Sequence, residues 1–207
     1  MKSSSPYKRR LLLLLAVAGL TACTPVKTIS PSYYVLNPQD ELTALQSVSK
    51  DSLSIEVVSL EIPPYLDRKQ IVTRSSNQQL DFSDSHRWGG KLRKNLERVL
   101  VRNLSLLVNS NNVWVRPKAL AAKPDYKVQL DILHFEFNGQ QVRLSAQWQV
   151  KNTHSDKIIA ADIAEISTST ESMAPADLYP AIVSAMNESL ARLSTGIASK
   201  ILADATG

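Results

Sequence analysis

Three runs of alternating apolar and polar residues, at 126–137, 142–150 and 157–168, constrain the fold of this 207-residue chain more than any other feature. A period of two residues is typical of a strand with one buried face. In the first run the apolar parity changes at Ile132-Leu133, which predicts a β-bulge at that point. Three such runs in succession, separated by short polar segments, predict an antiparallel meander.

Turn-forming residues divide these runs and bound several shorter ones. Asn138-Gly139 predicts a tight hairpin turn, because both residues tolerate a positive φ. A second turn is expected at 152–156, and Pro63-Pro64 ends an earlier strand because proline cannot donate to a ladder. Short apolar or alternating runs predict further strands at 33–36, 53–61, 70–74, 80–82 and 113–115.

Two stretches carry apolar residues at spacings of three and four, which predicts amphipathic helices. The first is expected to run from His86 to Leu107 with Ser85 as its cap, and the second from Ala176 or Pro180 to Leu202. Together the elements predict a two-layer α+β domain, with a mostly antiparallel sheet and both long helices packed on one face. A stripe of Lys91, Lys94, Arg98 and Arg102 is either a solvated outer face or a surface for an acidic partner or lipid head groups.

The N-terminus combines four basic residues with an apolar run from Leu11 to Leu20, which is typical of a secretory signal peptide. This run is too short to span a bilayer, for which about 20 apolar residues are needed. It ends in Leu20-Thr21-Ala22-Cys23, which resembles the lipobox of bacterial lipoproteins. In that class the cysteine is lipid-modified and becomes the first residue of the mature protein. Cys23 is also the single cysteine of the chain, so an intramolecular disulfide is excluded.

The formal charge of +5 belongs mostly to this leader. Four of the 24 Lys and Arg residues precede Cys23 and none of the 19 Asp and Glu residues do, which leaves 20 basic against 19 acidic residues, or +1. A nearly neutral mature chain gives no support for nucleic-acid binding. The predicted organisation is a signal peptide at 1–22, a lipidated tether at 23–32 and a single periplasmic domain at 33–207.

Catalytic and metal-binding patterns are missing from the sequence. We therefore expect that the protein is not an enzyme and that it binds neither a cofactor nor a metal ion. His86, His134 and His154 have no ligand spacing to one another or to a cysteine. Ser85-His86 contains triad residue types, but neighbours in sequence cannot supply triad geometry. There is no nucleophile elbow and no glycine-rich phosphate loop. Without these patterns, the sequence predicts a binding or structural role.

The order and spacing of several segments resemble the PqiC-type family, the auxiliary lipoproteins of ABC-type intermembrane transport systems. The most specific segment is Pro64-Tyr65-Leu66-Asp67-Arg68, followed closely by Gln-Ile-Val. The other segments are Tyr-Tyr-Val-Leu after the tether, Arg-Trp at the opening of the first predicted helix, 131–139 and 142–148. Gly89-Gly90-Lys91 departs from the family pattern of an acidic residue and a proline, which leaves the start of the helix open.

This resemblance implies a docking or auxiliary subunit that works with a periplasmic MCE-domain protein and an inner-membrane transport component. A ring-like homo-oligomer would match a partner with rotational symmetry. Because Thr24, rather than Asp, follows Cys23, the lipoprotein class implies attachment to the periplasmic face of the outer membrane. The alternative function is a stand-alone periplasmic lipid carrier, which requires an internal apolar cavity.

The segment from Pro64 to Arg68 is the candidate partner-binding site. It places Tyr65, Leu66 and Arg68 on a proline-stiffened turn, which loses little conformational entropy on binding. The other interpretation is that Tyr65 and Leu66 fold back onto the core of the domain itself.

Overall fold

A computed structural model describes residues 30–39, 42–45, 53–116, 123–170 and 177–206. Within these ranges lie eight strands and two long helices. No helix in this part of the chain is long and apolar enough to cross a membrane. The elements are β1 (Ser32–Tyr34), β2 (Ile55–Glu61), β3 (Gln70–Ser76), β4 (Gln79–Trp88), α1 (Leu92–Leu107), β5 (Val113–Val115), β6 (Tyr126–Phe137), β7 (Gln141–Asn152), β8 (Lys157–Ser169) and α2 (Leu178–Thr206).

The predicted meander is confirmed and forms the longest part of the sheet. β6 pairs antiparallel with β7, and β7 pairs antiparallel with β8. The register shifts between Ile132 and His134, so the predicted bulge is present and Leu133 has no partner opposite it. After the bulge Phe135 and Phe137 supply the apolar core positions that even-numbered residues supply before it. The bulge therefore keeps apolar side chains on the core side along the whole of β6.

The other edge of β6 is shared by two strands, which makes the sheet mixed. β2 pairs parallel with the first half of β6, and β3 meets β6 at Phe137. β5 lies parallel to β2, β4 lies antiparallel to β3, and β1 lies parallel to β4. The loop between β2 and β3 therefore projects at the point on β6 where one partner strand ends and the next begins.

Both helices pack on the sheet and on each other, as the α+β prediction requires. α2 contacts β6, β7 and β8, and α1 contacts β2, β5 and α2. The layer between them is built from fully buried side chains that include Val99, Phe135, Leu144 and Ile197. Because burial of each such side chain contributes about 1.5–3 kcal/mol, this apolar layer stabilises the domain without a disulfide.

The prediction for the start of the first helix was wrong. Residues 86–88 continue β4, where His86, Arg87 and Trp88 pair with β1, and α1 begins only at Leu92. Ser85 lies within β4 and caps nothing, and Lys91 occupies the N-cap position without a side-chain hydrogen bond. Trp88 fits the apolar spacing of the helix, but its pairing with β1 holds it in a strand. The predicted strand at 80–82 is accordingly a ten-residue strand.

Candidate functional site

Cys23, the predicted lipid attachment residue, lies outside the described residues, as does the tether up to residue 29. Its modification remains a prediction from the sequence. The predicted partner-binding segment is fully described, and we call the turn from Pro63 to Lys69 the proline loop.

The proline loop is a closed turn rather than an extended strap. The Leu66 amide donates to the Pro63 carbonyl at 2.9 Å, and the Arg68 amide donates to the Leu66 carbonyl at 2.8 Å. At its far end the Trp88 amide donates to the Lys69 carbonyl at 2.7 Å, which joins the loop to the end of β4. Backbone bonds inside the loop and at its exit hold its conformation before any partner arrives.

The structure divides the predicted contact residues into two groups. Leu66 is 2 % exposed and belongs to the core, so the packing interpretation holds for that residue. Tyr65 is partly buried, and its hydroxyl donates to Glu136 Oε2 at 2.9 Å. Pro64, Asp67 and Arg68 are exposed. Of the five predicted contact residues, only these three are exposed.

A buried carboxylate fixes the proline loop to the sheet, and sequence reasoning missed it. Glu136 is 2 % exposed; its oxygens accept hydrogen bonds from Tyr65 and from Arg74 Nε at 2.7 Å, and from the Phe135 amide at 2.9 Å. Burial, and then the negative charge of Glu136, raises the pKa of the Tyr65 phenol well above its ordinary value. His134 Nδ1 lies 3.3 Å from Glu136 Oε1, so this histidine has a structural partner. No local pattern indicated this contact, because Tyr65 and Arg74 lie 71 and 62 residues before Glu136 in the sequence.

The other two histidines also have partners within the fold. His86 stacks on Tyr179 with ring centroids 3.7 Å apart, and His154 Nε2 lies 2.7 Å from Asp125 Oδ1. Burial alone would raise the pKa of Asp125, but hydrogen bonds from Ser54 and His154 lower it below its ordinary value. Among the described residues no group of three or more His, Cys, Asp or Glu side chains is placed to hold a metal ion.

A basic cavity of about 520 Å³ lies beside the proline loop. It forms where the loop, the ends of β1 and β4 and the start of α1 meet. Gly89 lines the cavity, and its amide donates to the Tyr34 carbonyl at 2.7 Å. A Cβ added at Gly89 would lie 3.2 Å from the Val35 side chain, so this position favours glycine. The polar and charged side chains that line the cavity are Tyr33, Asp67, Arg68, Lys69, Arg87 and Lys91.

The proline loop and Glu136 lie in the part of the chain that matches the model of a known protein family. The family of ABC-type transport auxiliary lipoprotein components matches residues 34–198. The chain belongs to this family. Members are transport auxiliary lipoproteins and not enzymes, in agreement with the missing catalytic patterns. No curated protein matches the sequence.

Solved structures similar to this lipoprotein share its fold. One is the crystal structure of an uncharacterized protein, with a TM-score of 0.65 at 18 % identity, covering 83 % of this chain and 99 % of that chain. A DUF330 family protein from Xanthomonas campestris gives a TM-score of 0.61 at 16 % identity, covering 86 % of this chain and 98 % of its own. At such low identity the likeness concerns the fold alone.

Proposed function

We propose that this lipoprotein is the outer-membrane-anchored, periplasmic docking subunit of an MCE-type, ABC-linked intermembrane lipid transport system. The observation that carries the proposal is the family match over residues 34–198 in a chain whose leader ends in Leu-Thr-Ala-Cys. A lipid-held domain next to a transport partner needs a rigid recognition surface and no catalytic groups. The partners in this proposal are a periplasmic MCE-domain protein and an inner-membrane component.

The exposed side of the proline loop is the proposed contact with the MCE-domain protein. Pro64, Asp67 and Arg68 are exposed, while Leu66 and Tyr65 anchor the turn from behind. The Arg68 guanidinium lies 4.2 Å from the centre of the Phe82 ring, which orients the charge. Docking onto a preformed turn costs little ordering entropy.

Exchanging the two loop charges tests this contact. The double variant Asp67→Arg/Arg68→Asp keeps the net charge of the loop and leaves the buried Leu66 and Tyr65 in place. Because like charges set against a partner are strongly unfavourable, we expect co-purification with the MCE-domain protein to fall at least about tenfold. The matched control Glu188→Lys/Lys200→Glu exchanges two exposed charges on α2 and should co-purify normally. Undiminished association of a folded loop variant would remove the proline loop from the interface.

The membrane assignment is tested at the two residues of the predicted processing site. Cys23→Ala should release the protein from membranes, because stable attachment of a soluble domain needs acyl chains. Thr24→Asp should move it from the outer-membrane to the inner-membrane fraction, while Thr24→Ser should leave it in place. Density-gradient fractionation distinguishes these outcomes, and a Cys23→Ala protein that stays in the outer membrane would contradict lipid anchoring.

The stand-alone carrier has less support, because it requires an enclosed apolar chamber. A surface cavity of about 760 Å³ on the outer face of the sheet is lined in large part by Gln129, Asp131, Gln147 and Gln149. Amide and carboxylate groups would leave acyl chains beside unmatched polar atoms. This observation favours docking over carriage within the domain.

A further inference from the structure

The basic cavity concentrates positive charge that the fold does not neutralise. Arg68, Lys69, Arg87 and Lys91 line it against the single carboxylate of Asp67. Among the described residues none of these four cations forms an ion pair. In a chain that is nearly neutral after its leader, a local excess of three charges marks an anion site.

Two of the four cations are held in place by contacts that leave their charge available. Arg87 donates one hydrogen bond, from Nε to the Asp84 carbonyl at 3.1 Å, and the Arg68 guanidinium lies over the Phe82 ring. A guanidinium has five N–H donors in a planar fork that matches phosphate oxygens, so this one bond leaves most of the donors of Arg87 available to a ligand.

The start of α1 adds to the positive potential at the same place. Lys91 is the N-cap, it makes no side-chain capping hydrogen bond, and the first turn holds no acidic residue. Free amides at a helix N-terminus attract anions and supplement the cationic side chains. Gly90 leaves room here, because an added Cβ would meet no atom within 4 Å.

The rim of the cavity carries exposed aromatic and apolar side chains of the kind found at a membrane–water boundary. Tyr33 lines the cavity and is 64 % exposed, and Val35 nearby is 48 % exposed. An aromatic ring with a polar tip beside cations is typical of protein surfaces that contact lipid head groups. Tyr33 follows Cys23 by only ten positions, so even a fully extended chain would keep the rim within about 35 Å of the lipid anchor.

We propose that the basic cavity binds the phosphate of an anionic phospholipid head group, with Arg68, Lys69, Arg87 and Lys91 as its ligands. The lipid source of the phosphate rests on the lipid attachment at Cys23 that the proposed function includes. Binding there would hold the domain against the leaflet that carries its own anchor.

Calorimetric titration of the mature lipoprotein in non-ionic detergent, without any partner, tests the site. The probes are short-chain phosphatidylglycerol, short-chain phosphatidylcholine and glycerol phosphate. We expect phosphatidylglycerol to bind at least about fivefold tighter than either of the others. Since each Lys or Arg near an anionic surface contributes about a fivefold factor, Arg87→Gln/Lys91→Gln should weaken that binding about 25-fold. The control Arg102→Gln/Lys200→Gln removes two exposed charges outside the cavity and should change the affinity less than twofold.

A second pair of variants keeps the test independent of any effect on folding. Gly90→Asp places a carboxylate in the cavity and should abolish phosphatidylglycerol binding, whereas Gly90→Ala fills the same space and should bind normally. Equal affinity for glycerol phosphate would overturn the lipid assignment, and wild-type affinity in Arg87→Gln/Lys91→Gln or Gly90→Asp would overturn the site. Neither result bears on the co-purification test of the docking role, because Arg87→Gln/Lys91→Gln and Gly90→Asp leave Asp67 and Arg68 of the proline loop unchanged.

Discussion

Glu136 shows how one buried carboxylate can hold a surface loop. Its two oxygens serve Tyr65 from the proline loop, Arg74 from β3 and the Phe135 amide of its own strand. A buried charge is costly unless each lone pair finds a donor, and here several converge on one side chain. The same contacts that satisfy Glu136 therefore fix the loop to the sheet.

Replacing Glu136 by Gln should destabilise the domain more than an equivalent surface change. The variant removes the charge that faces Arg74, whose side chain is only 20 % exposed, and leaves a partly buried guanidinium unpaired. We expect a loss of about 2–3 kcal/mol in the free energy of unfolding, measured with urea. The control is Glu165→Gln, since the Arg143–Glu165 pair is 51 % exposed on both sides and should contribute less than about 1 kcal/mol. Equal losses would show that Glu136 is not an anchor.

Two tyrosines make the domain sensitive to alkaline pH. Burial, followed by the charge of Glu136 for Tyr65 and by contact with Asp204 for Tyr126, raises the pKa of both phenols in the folded state. The unfolded phenols ionise near pH 10, so their contribution is complete below that pH and is lost as the pH rises further. Stability should fall by up to about 1.4 kcal/mol per pH unit for each tyrosine above pH 10.

The comparison variant for this pH dependence is Tyr65→Phe/Tyr126→Phe. Urea denaturation between pH 8 and pH 11 should give a much flatter decline for the double variant than for the natural sequence. Its stability at pH 8 should be lower, because two hydrogen bonds of about 1 kcal/mol each are removed. An unchanged slope above pH 10 would mean that other groups govern alkaline unfolding.

Among the elements, the β6–β7 hairpin depends on one backbone conformation. Gly139 has a φ of +95°, and the Asn138 amide donates to the Gln141 carbonyl at 3.0 Å across the turn. Asn138 does not itself take a positive φ; its side-chain oxygen instead accepts hydrogen bonds from the amides of Gln140 and Gln141. The residue pair predicted the turn correctly, although each residue contributes by a different mechanism.

Gly139→Ala should cost about 1–2 kcal/mol of unfolding free energy, because an L side chain is strained at this φ. Gly90→Ala is the matched control, since Gly90 has no positive φ and an open space around its Cβ position, and it should be neutral or slightly stabilising. Thermal unfolding of the two variants measures the difference. Equal melting temperatures would show that the turn tolerates a side chain.

Sequence patterns predicted elements whose register depends on local alternation and missed those that depend on distant pairing. The meander, its bulge and both turns follow from residues within a few positions of one another. Trp88 was placed in a helix because its spacing fits α1, but pairing of His86 to Trp88 with β1, more than 50 residues earlier, decides its structure. Glu136 was invisible for the same reason, because its partners come from separate segments.

At the scale of the whole molecule, the N-terminal segment is joined to three different elements. β1 pairs with β4, and Tyr34 Oη lies 2.9 Å from His86 Nδ1, whose ring stacks on Tyr179 of α2. Leu36 is fully buried, and both of its backbone groups bond to the Asn95 side chain on α1. In the proposed function the tether leaves the domain through this segment, so the contacts of Leu36 decide how firmly the anchor is coupled to the fold.

Asn95 should control that coupling locally, without controlling the stability of the whole domain. Its Oδ1 accepts from the Leu36 amide at 2.6 Å and its Nδ2 donates to the Leu36 carbonyl at 2.9 Å. Asn95→Ala leaves the buried Leu36 amide without this partner, a local loss of about 1–2 kcal/mol, so amide exchange in 32–39 should become about 5- to 30-fold faster.

The rest of the sheet supplies the reference for this measurement. Exchange mass spectrometry should show unchanged protection at 126–150, because the β6–β7 ladder shares no hydrogen bond with Asn95 among the described residues. Asn187→Ala, which removes an exposed bond to the Asn37 amide, should accelerate exchange at 32–39 by less than about threefold. Uniformly faster exchange in Asn95→Ala would contradict local coupling. β1 also carries Tyr33 at the rim of the basic cavity. If Asn95→Ala loosens this segment enough to open the rim, the variant should also weaken phosphatidylglycerol binding.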